Sequence, residues 1–417
     1  MQISLQTPAR KTFALAVCVF MATAFAALAA TELLAGYFAD RADLASLQRA
    51  VRLEPGNADY RFRLGHYLTL VQTSPATALE SYKTAVALDP HRSRYWLGLA
   101  AAYETAGDTE AQQEALERAI AADPKTPDVA WEAANLYLVR GQTEKALGEF
   151  RVVLENDPSL TPAALRLCWR ISPSVESLLA GVIPPSSEVY FAFLDLLTAN
   201  RETIAAARVW MQLAQLRQPL EQRRTLEYLR YLIGHREVDQ ARLVWQQAAD
   251  ISGLAAYQPS PTNLVINGDF SLDVLNGGFD WTYEKLPSVS LALDPTQSHS
   301  GHRSLSIAFD GPGIEDTGIR QLIPVEPNTA YDFSAYFKSE NIQGAGGPRF
   351  AIQDAYSENL YLASEDLKGV DFWKQVNGTF LTGPETKLVA LRIQRVPLGS
   401  PIKGRLWIDG VRLSRKD

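Results

Sequence analysis

Three prolines, Pro90, Pro124 and Pro158, lie 34 residues apart, and each closes a segment with the pattern of two amphipathic helices. A fixed period of this length is typical of a stacked helical-hairpin repeat. One hairpin cannot bury its apolar face alone, so successive hairpins stack and expose a long curved groove. The period therefore predicts a helical solenoid, whose groove binds other proteins rather than performing chemistry.

The clearest repeat runs over residues 93–126 and resembles the tetratricopeptide repeat family. The matching positions are Trp96, Leu99, Ala100, Tyr103, Gly107, Leu116, Ala119 and Pro124, followed in the next repeat by Ala134, Tyr137, Gly141, Ala146, Phe150 and Pro158. We expect this solenoid to span residues 41–256. Around residues 161–187 it should be irregular or degenerate, because Pro162, Pro173, Pro184 and Pro185 interrupt the helical pattern.

The resemblance implies a concave surface lined by the first helix of each hairpin. The exposed positions predicted there are Asp59, His66, Arg94, Glu104, Trp131 and Asn135. A protein partner is expected in this groove, although no cluster among these residues specifies its chemistry. A net charge of -7 argues against a nucleic-acid partner, which needs a basic surface to displace counterions from phosphates.

The N-terminus predicts export. Arg10 and Lys11 precede an uncharged apolar run at residues 12–30, long enough to span roughly 28 Å as a helix. The flanking positive charges place residues 1–40 as a cytoplasmic tip and a single-pass anchor in a bacterial inner membrane, with the rest in the periplasm or outside. The alternative is a signal peptide cleaved near Ala27-Leu28-Ala29, which would release a secreted protein.

The chain changes character after a linker predicted at residues 257–262. Residues 331–338 alternate between apolar and polar, and so do residues 389–394, as expected for strands with one buried face. Residues 263–417 are therefore predicted to form an antiparallel β-sandwich, with a jelly roll as the expected topology. The predicted fold class is multidomain: a transmembrane helix, an α-helical solenoid and an all-β sandwich.

This last domain resembles the carbohydrate-binding jelly rolls attached to xylanases and other glycanases. The resemblance rests on ordered landmarks at residues 263–270, 278–281, 300–305, 321–331, 373–380 and 407–413. It implies sugar binding on one sheet face, where aromatic rings stack on sugars and polar groups read the hydroxyls. The glycan-binding candidates are Tyr336, Arg392, Gln394, Gln353, Trp407, Trp281 and Tyr283, with Lys338 and Arg349 also predicted to face outward.

Related domains hold a structural calcium, which the resemblance places at Asp409. Here Ser271 stands where a second acidic ligand usually lies, so a bound calcium is not expected. No other cofactor is expected, and the pair His299 and His302 lacks a convincing third ligand for a metal. No phosphate-binding loop or nucleophile elbow occurs, and we predict that the chain is not an enzyme.

These features predict an exported, membrane-anchored adaptor that binds a protein partner through its solenoid and a glycan through its sandwich, in bacterial polysaccharide assembly or export. The alternative hypothesis is a pure protein-interaction scaffold whose sandwich has lost sugar binding. A third hypothesis, a glycan-processing enzyme, is disfavoured because no acid/base pair of carboxylates can be placed across a cleft.

Overall fold

The computed structural model describes residues 8–41, 43–71 and 75–416. The chain forms two compact units, Met1–Pro184 and Pro185–Asp417. The first unit is helical, and the second combines four helices with two β-sheets. The predicted fold class is confirmed, because a helical solenoid precedes an antiparallel sandwich and an apolar helix lies at the N-terminus. The cytoplasmic tip predicted at residues 1–7 lies outside the described residues.

Ten helices are described in the first unit. They are α1 Pro8–Ala39, α2 Leu44–Leu53, α3 Ala58–Val71, α4 Pro75–Leu88, α5 Ser93–Ala106, α6 Thr109–Ala122, α7 Pro127–Val139, α8 Thr143–Asn156, α9 Thr161–Ile171 and α10 Val175–Gly181. The pairs α3/α4, α5/α6 and α7/α8 form antiparallel hairpins. Pro90, Pro124 and Pro158 each lie two residues beyond the second helix of a pair, where a missing N–H costs no helical hydrogen bond.

Aromatic side chains fill the space between hairpins where small residues leave room. Tyr82 and Phe150 are almost fully buried, as the repeat pattern predicts. A Cβ added at Gly65 would lie 3.1 Å from the Tyr82 ring, and one at Gly98 would lie only 2.5 Å from it. The glycines therefore let α3 and α5 approach this ring more closely than any other residue would allow.

The segment around residues 161–187 is more regular than its prolines suggest. It forms α9 and α10, and Pro162 lies in the first turn of α9, where proline is tolerated. Pro173 lies between the two helices, so it also breaks no helical hydrogen bond. The segment is therefore not irregular throughout, but its two helices are shorter than those of the preceding hairpins and residues 172–174 and 182–186 lie outside helices, as in a degenerate repeat.

Helix α1 is the one helix in the described residues that is long and apolar enough to cross a membrane, over Lys11–Ala39. Most of its side chains are exposed, but Ala35 and Ala39 near its end are buried against α2. The C-terminal end of the apolar helix therefore packs on the solenoid. Length and composition fit both a membrane anchor and a signal sequence.

The second unit begins with two more hairpins, α11 Ser187–Ala199 with α12 Thr203–Gln215, and α13 Gln222–Gly234 with α14 Val238–Ser252. A 3₁₀ turn follows at Ala255–Tyr257. The linker predicted at residues 257–262 lies inside this unit, and its first residue, Tyr257, is buried. The Tyr257 hydroxyl donates to the Asp273 carbonyl at 2.7 Å, which ties this segment to the sandwich.

The sandwich consists of two five-stranded antiparallel sheets. Its strands are β1 Thr282–Tyr283, β2 Val289–Asp294, β3 Ser304–Gly313, β4 Asp316–Pro324, β5 Ala330–Gln343, β6 Gly347–Asp354, β7 Leu360–Ala363, β8 Lys374–Leu381, β9 Leu388–Val396 and β10 Pro401–Arg415. One sheet, here called sheet A, has the order β1-β4-β9-β6-β7, and the other, sheet B, has the order β2-β3-β10-β5-β8.

The core lies between sheets A and B. On β5 the alternate residues Tyr331, Phe333, Ala335 and Phe337 are buried, as the sequence alternation predicts. Val389, Leu391 and Ile393 of β9 are buried in the same cluster. Because side chains alternate along a strand, the residues between them point away from the core, and the sandwich has two separate outer faces.

Candidate functional site

The predicted glycan-binding residues lie on opposite sides of the sandwich. Arg392, Gln394 and Gln353 are on β9 and β6, on the outer face of sheet A. Tyr336 and Trp407 are on β5 and β10, on the outer face of sheet B. The candidates therefore do not share one sheet face as expected, because strand alternation does not reveal which sheet a strand joins.

Trp281 belongs to the core. Its side chain has no exposed surface, its ring centroid lies 5.2 Å from that of Phe270, and its indole N–H donates to the Asn267 carbonyl at 3.1 Å. A ring without exposed surface cannot stack on a sugar. Trp281 therefore stabilises the core of the sandwich and does not contact a ligand.

The aromatic residues on the face of sheet B are largely covered. Lys338 and Arg405 lie over the Trp407 ring at 5.6 and 5.5 Å, and Trp407 is 5% exposed. The Tyr336 ring stacks on His299 with their centroids 3.5 Å apart. Sheet B therefore offers no open aromatic platform at these two predicted positions.

Asp409 already has a full set of hydrogen-bond donors. One carboxylate oxygen accepts from the backbone N–H groups of His299 and Ser300 at 2.6 and 2.8 Å. The other accepts from the Ser300 hydroxyl and the Gly410 N–H at 2.8 and 2.6 Å. A carboxylate has about four acceptor positions, so Asp409 has none left for a cation. Among the described residues, no three His, Cys, Asp or Glu side chains form a group that could hold a metal.

The outer face of sheet A borders a large cleft within the second unit. This cleft has a volume of about 990 Å³ and lies between α13 and strands β1, β4 and β9. Its volume is within the range of small-molecule binding sites. Of the predicted glycan-binding residues, Tyr283 and Arg392 line the cleft, and Tyr283 is 40% exposed. Gln353 and Gln394 lie on the same sheet but do not line it.

Two arginines lie side by side on the floor of the cleft. Arg320 of β4 is directly opposite Arg392 of β9 in the antiparallel register. Asp316 lies 3.6 Å from the Arg392 guanidinium. Burial raises the pKa of the Asp316 carboxyl from its ordinary value, although the Gly318 N–H and Arg392 act in the opposite direction. The Arg392 Nε is buried without a hydrogen-bond partner.

The wall of the cleft is built by α13 and the loop before β1. Leu226, Arg230, Ile233 and Gly234 come from the helix, and Asn276, Gly277 and Gly278 come from the loop. The Asn276 side chain accepts from the Tyr283 N–H at 2.9 Å, which fixes the loop beside this ring. The site is therefore made by helical and β-sheet residues together.

A buried carboxyl, Asp280, holds that loop. It accepts from the Leu275 N–H at 2.7 Å, and its second oxygen has no partner. Burial raises the pKa of Asp280 to about 6, because an apolar environment disfavours the charged form.

Several contacts attach the hairpin α13/α14 to the sandwich. The Tyr356 hydroxyl donates to the Ile233 carbonyl at 2.7 Å, and the Lys387 ammonium lies 2.6 Å from the Asp239 carboxylate. The Trp245 ring lies edge-on to Phe279 with centroids 6.0 Å apart. Arg230 and Leu226 were missed by the sequence analysis because helical periodicity carries no information about this docking. Arg320 was missed as well, although its alternation along β4 with the buried residues Ile319 and Gln321 is a signal that could have found it.

The predicted groove residues of the solenoid form one local cluster and several separate positions. Arg94 lies 4.6 Å from the Phe62 ring centroid, and His66 stacks on the same ring at 6.1 Å. His66 and Arg94 line a cleft of about 310 Å³. Asp59 pairs with Arg63 at 2.6 Å, and Arg63 lines this cleft too.

The remaining groove candidates lie on α5 and α7. Glu104 is exposed on α5. On α7, the Trp131 ring packs edge-on against Phe150 at 5.7 Å, and the Asn135 side chain donates to the Trp131 carbonyl at 2.8 Å. Burial is the main cause of a raised pKa at Glu132, to which the negative charge of Glu104 adds.

Family models match two parts of the chain. Residues 262–397 match a carbohydrate binding domain, and residues 70–112 and 93–136 match two tetratricopeptide repeat models. The chain therefore contains tetratricopeptide repeats and a C-terminal carbohydrate-binding domain, as the sequence analysis predicted. Domains of these two classes are typically non-catalytic. No curated protein matches the sequence.

Several solved structures are similar to parts of the chain. "CBM4 structure and function" is 15% identical, with a TM-score of 0.28, and covers 36% of this chain and 98% of its own. "Crystal structure of MamA" is 18% identical, with a TM-score of 0.24, and the match covers 41% of this chain and 85% of that structure. The CBM22-1 xylan-binding domain from Paenibacillus barcinonensis Xyn10C is 16% identical, with a TM-score of 0.26, and the match covers 36% of this chain and 91% of that structure.

Proposed function

We propose that this protein is a non-catalytic, exported adaptor anchored in a bacterial inner membrane. Its tetratricopeptide repeats bind a protein partner, and its sandwich holds a glycan in the cleft between α13 and sheet A. The protein acts in polysaccharide assembly or export. The main support for glycan binding is the cleft. It combines an exposed Tyr283 ring with polar groups of Arg320, Arg392 and Asp316.

The chemistry of this cleft suits a sugar. An exposed ring stacks on the apolar face of a pyranose, while arginine and carboxylate groups hydrogen-bond its hydroxyls. The buried, unpaired Arg392 Nε is a donor that a ligand oxygen would satisfy. Tyr336 and Trp407, on the other sheet, have most of their ring surface covered.

Binding of the full-length, detergent-solubilised protein to a panel of neutral and acidic polysaccharides tests this function. We expect retention on one polymer class and roughly two- to tenfold weaker binding in Tyr283→Ala, since stacking on a single ring contributes about 0.5–1.5 kcal/mol. Tyr336→Ala is the matched control, because it removes the same side chain from the opposite face. Loss of binding in Tyr336→Ala but not in Tyr283→Ala would place the site on sheet B.

The alternative function is a protein-interaction scaffold whose sandwich no longer binds sugar. The covered rings of Trp407 and Tyr336 favour it. A folded protein that binds no polymer in the panel would support this alternative.

The protein partner can be sought with a photo-crosslinking residue at position 94 or 66, in cells that produce the full chain. Crosslinks to one protein at both positions, and none from the exposed position 148 on α8, would support a partner in this groove. If deletion of the gene changes neither the yield nor the chain length of exported polysaccharide, the proposed role in assembly is wrong.

The anchor is tested by the mass of the membrane-extracted protein. We expect an intact N-terminus and retention in the membrane after alkaline extraction. A mature protein that begins after Ala29 and lies in the soluble fraction would show that the apolar helix is a cleaved signal.

A further inference from the structure

Two arginines on the floor of the cleft, Arg320 and Arg392, share a single carboxylate. Arg320 and Arg392 face each other as a cross-strand pair, an arrangement that is unfavourable for like charges. Asp316 is the one carboxylate that pairs with either of them in the described residues, and it pairs with Arg392 at 3.6 Å. Arg320 has no ion pair in that part of the chain.

A third arginine faces the cleft from the helical wall. Arg230 of α13 lines the cleft, is exposed, and takes part in no ion pair among the described residues. Its neighbour Arg223 on the same helix differs, because it pairs with Glu227 at 2.9 Å and with Glu221 at 3.4 Å. Two acidic side chains therefore neutralise the charge of Arg223, whereas the guanidinium group of Arg230 can bind a ligand.

Two other carboxylates lie at the rim of the cleft. Glu284 follows β1 and Glu315 precedes β4, and both are exposed at the rim. Asp316 is already engaged by Arg392. The cleft lining thus contains three arginines and three carboxylates, and the positive charge is concentrated on the floor, where Arg320 and Arg392 share the single carboxylate of Asp316.

We propose that the cleft binds an acidic glycan whose carboxylate is held by Arg320 and Arg392, with Arg230 of α13 completing the site. This inference rests on the proposed glycan-binding function. A uronate carboxylate accepts two parallel hydrogen bonds from a guanidinium group, which gives both strength and orientation. It would supply the missing acceptor for the Arg392 Nε and reduce the repulsion between the paired arginines.

The role of Arg230 makes the helical hairpin part of the ligand site. The contacts of Tyr356 with Ile233 and of Lys387 with Asp239 hold α13 and α14 against the sandwich. A carboxylate-bearing sugar would thus be recognised by two structural elements that are distant in sequence. Selectivity for acidic over neutral polymer should depend on α13 as well as on sheet A.

The test compares one uronic-acid polymer with its carboxyl-reduced form, which keeps the sugar backbone and linkage but is neutral. Binding of full-length protein in detergent is measured by calorimetry at two salt concentrations. We expect the acidic polymer to bind at least about tenfold more tightly, the range of a charge-assisted hydrogen-bond pair. The advantage should be abolished in Arg320→Gln, decrease several-fold in Arg230→Gln, and persist in the control Arg223→Gln.

Each outcome separates this inference from the proposed function. Equal binding of the acidic and neutral polymers overturns the inference and leaves glycan binding intact. If Arg320→Gln still binds the acidic polymer more tightly than the neutral one, the inference is also overturned, because the carboxylate would then bind at another site. Sulfated or phosphorylated polymers that outcompete the uronate would overturn the assignment to a carboxylate and show that the site reads another anion. Binding to neither form, by a protein that unfolds cooperatively, contradicts the proposed function itself.

Discussion

Gly278 lies directly beneath the indole ring of Trp245. A Cβ at this position would be 2.2 Å from the ring, and the backbone has a φ of +62°. The loop that forms the cleft wall and helix α14 therefore meet at a point where only glycine fits. This contact fixes the helical hairpin against the loop that lines the cleft.

Gly278→Ala should destabilise the second unit by more than its backbone conformation alone explains. The strained φ costs about 1 kcal/mol, and displacement of Trp245 adds a packing cost of about 1–3 kcal/mol. Gly369→Ala is the matched control, because Gly369 also has a positive φ of +73° but has no atom within 4 Å of the point where a Cβ would lie. Thermal unfolding should show a clearly larger decrease in Tm for Gly278→Ala, and equal decreases would mean that the contact contributes nothing.

Asp280 should make stability depend on pH. Because burial raises its pKa to about 6, the folded protein binds more protons than the unfolded chain between about pH 4 and pH 6. Its contribution to the free energy of unfolding is present below about pH 4 and is lost as the pH rises through about 6. In Asp280→Asn, denaturant unfolding should show a smaller decrease in stability over this range. The exposed Asp371→Asn is the control, and an unchanged slope in Asp280→Asn would refute the assignment.

Asp409→Ala should loosen the loop that carries His299 and Ser300, because four donors lose their acceptor together. We expect a loss of more than about 2 kcal/mol, because each buried donor left without an acceptor costs about 1–3 kcal/mol. Ser300→Ala removes one of these bonds and should cost about 1 kcal/mol. Both are measured by chemical denaturation, and equal losses in the two variants would contradict the role of Asp409 as a shared acceptor.

The same carboxylate should make the sandwich insensitive to calcium. Since its acceptor positions are filled, addition of a calcium chelator should leave the unfolding temperature of the wild-type protein unchanged. A decrease of several degrees on chelation would show that a cation replaces some of these donors.

Two glycines in the solenoid should respond to alanine in opposite directions. At Gly98 the new Cβ would clash with Tyr82 and lie 2.7 Å from Phe62, so Gly98→Ala should destabilise the first unit by about 1–3 kcal/mol. At Gly148 on α8 no atom lies within 4 Å. Gly148→Ala should therefore stabilise the helix by up to about 1 kcal/mol. Circular dichroism during thermal unfolding distinguishes the two, and stabilisation by Gly98→Ala would contradict the packing.

The sequence allowed much of the fold to be predicted, because the relevant signals are local. The 34-residue proline period marks the hairpins, and alternation at residues 331–338 marks the long strand β5. The assignment of strands to sheets could not be read in this way, since it depends on pairings such as Arg320 with Arg392 that are distant in sequence. This is why candidates expected on one face are divided between two.

The cleft itself was also beyond sequence reasoning. Residues 257–262 have the composition of a linker, yet Tyr257 is buried and the Trp245 indole donates to its carbonyl at 2.9 Å. Apolar residues at the surface of a solenoid hairpin, such as Leu226, give no sign of which element will cover them. Tyr283 and Arg392 were predicted as glycan-binding candidates, whereas the role of α13 depends on tertiary packing.

Hydrogen–deuterium exchange of the full-length protein, with and without the polysaccharide that it retains, tests the composite cleft most directly. The proposed site predicts slower exchange in β4 and β9 and in helix α13, with no change in β5 and β10 on the opposite sheet. Slower exchange confined to β5, β8 and β10 would contradict this site and move ligand binding to the face that carries Tyr336.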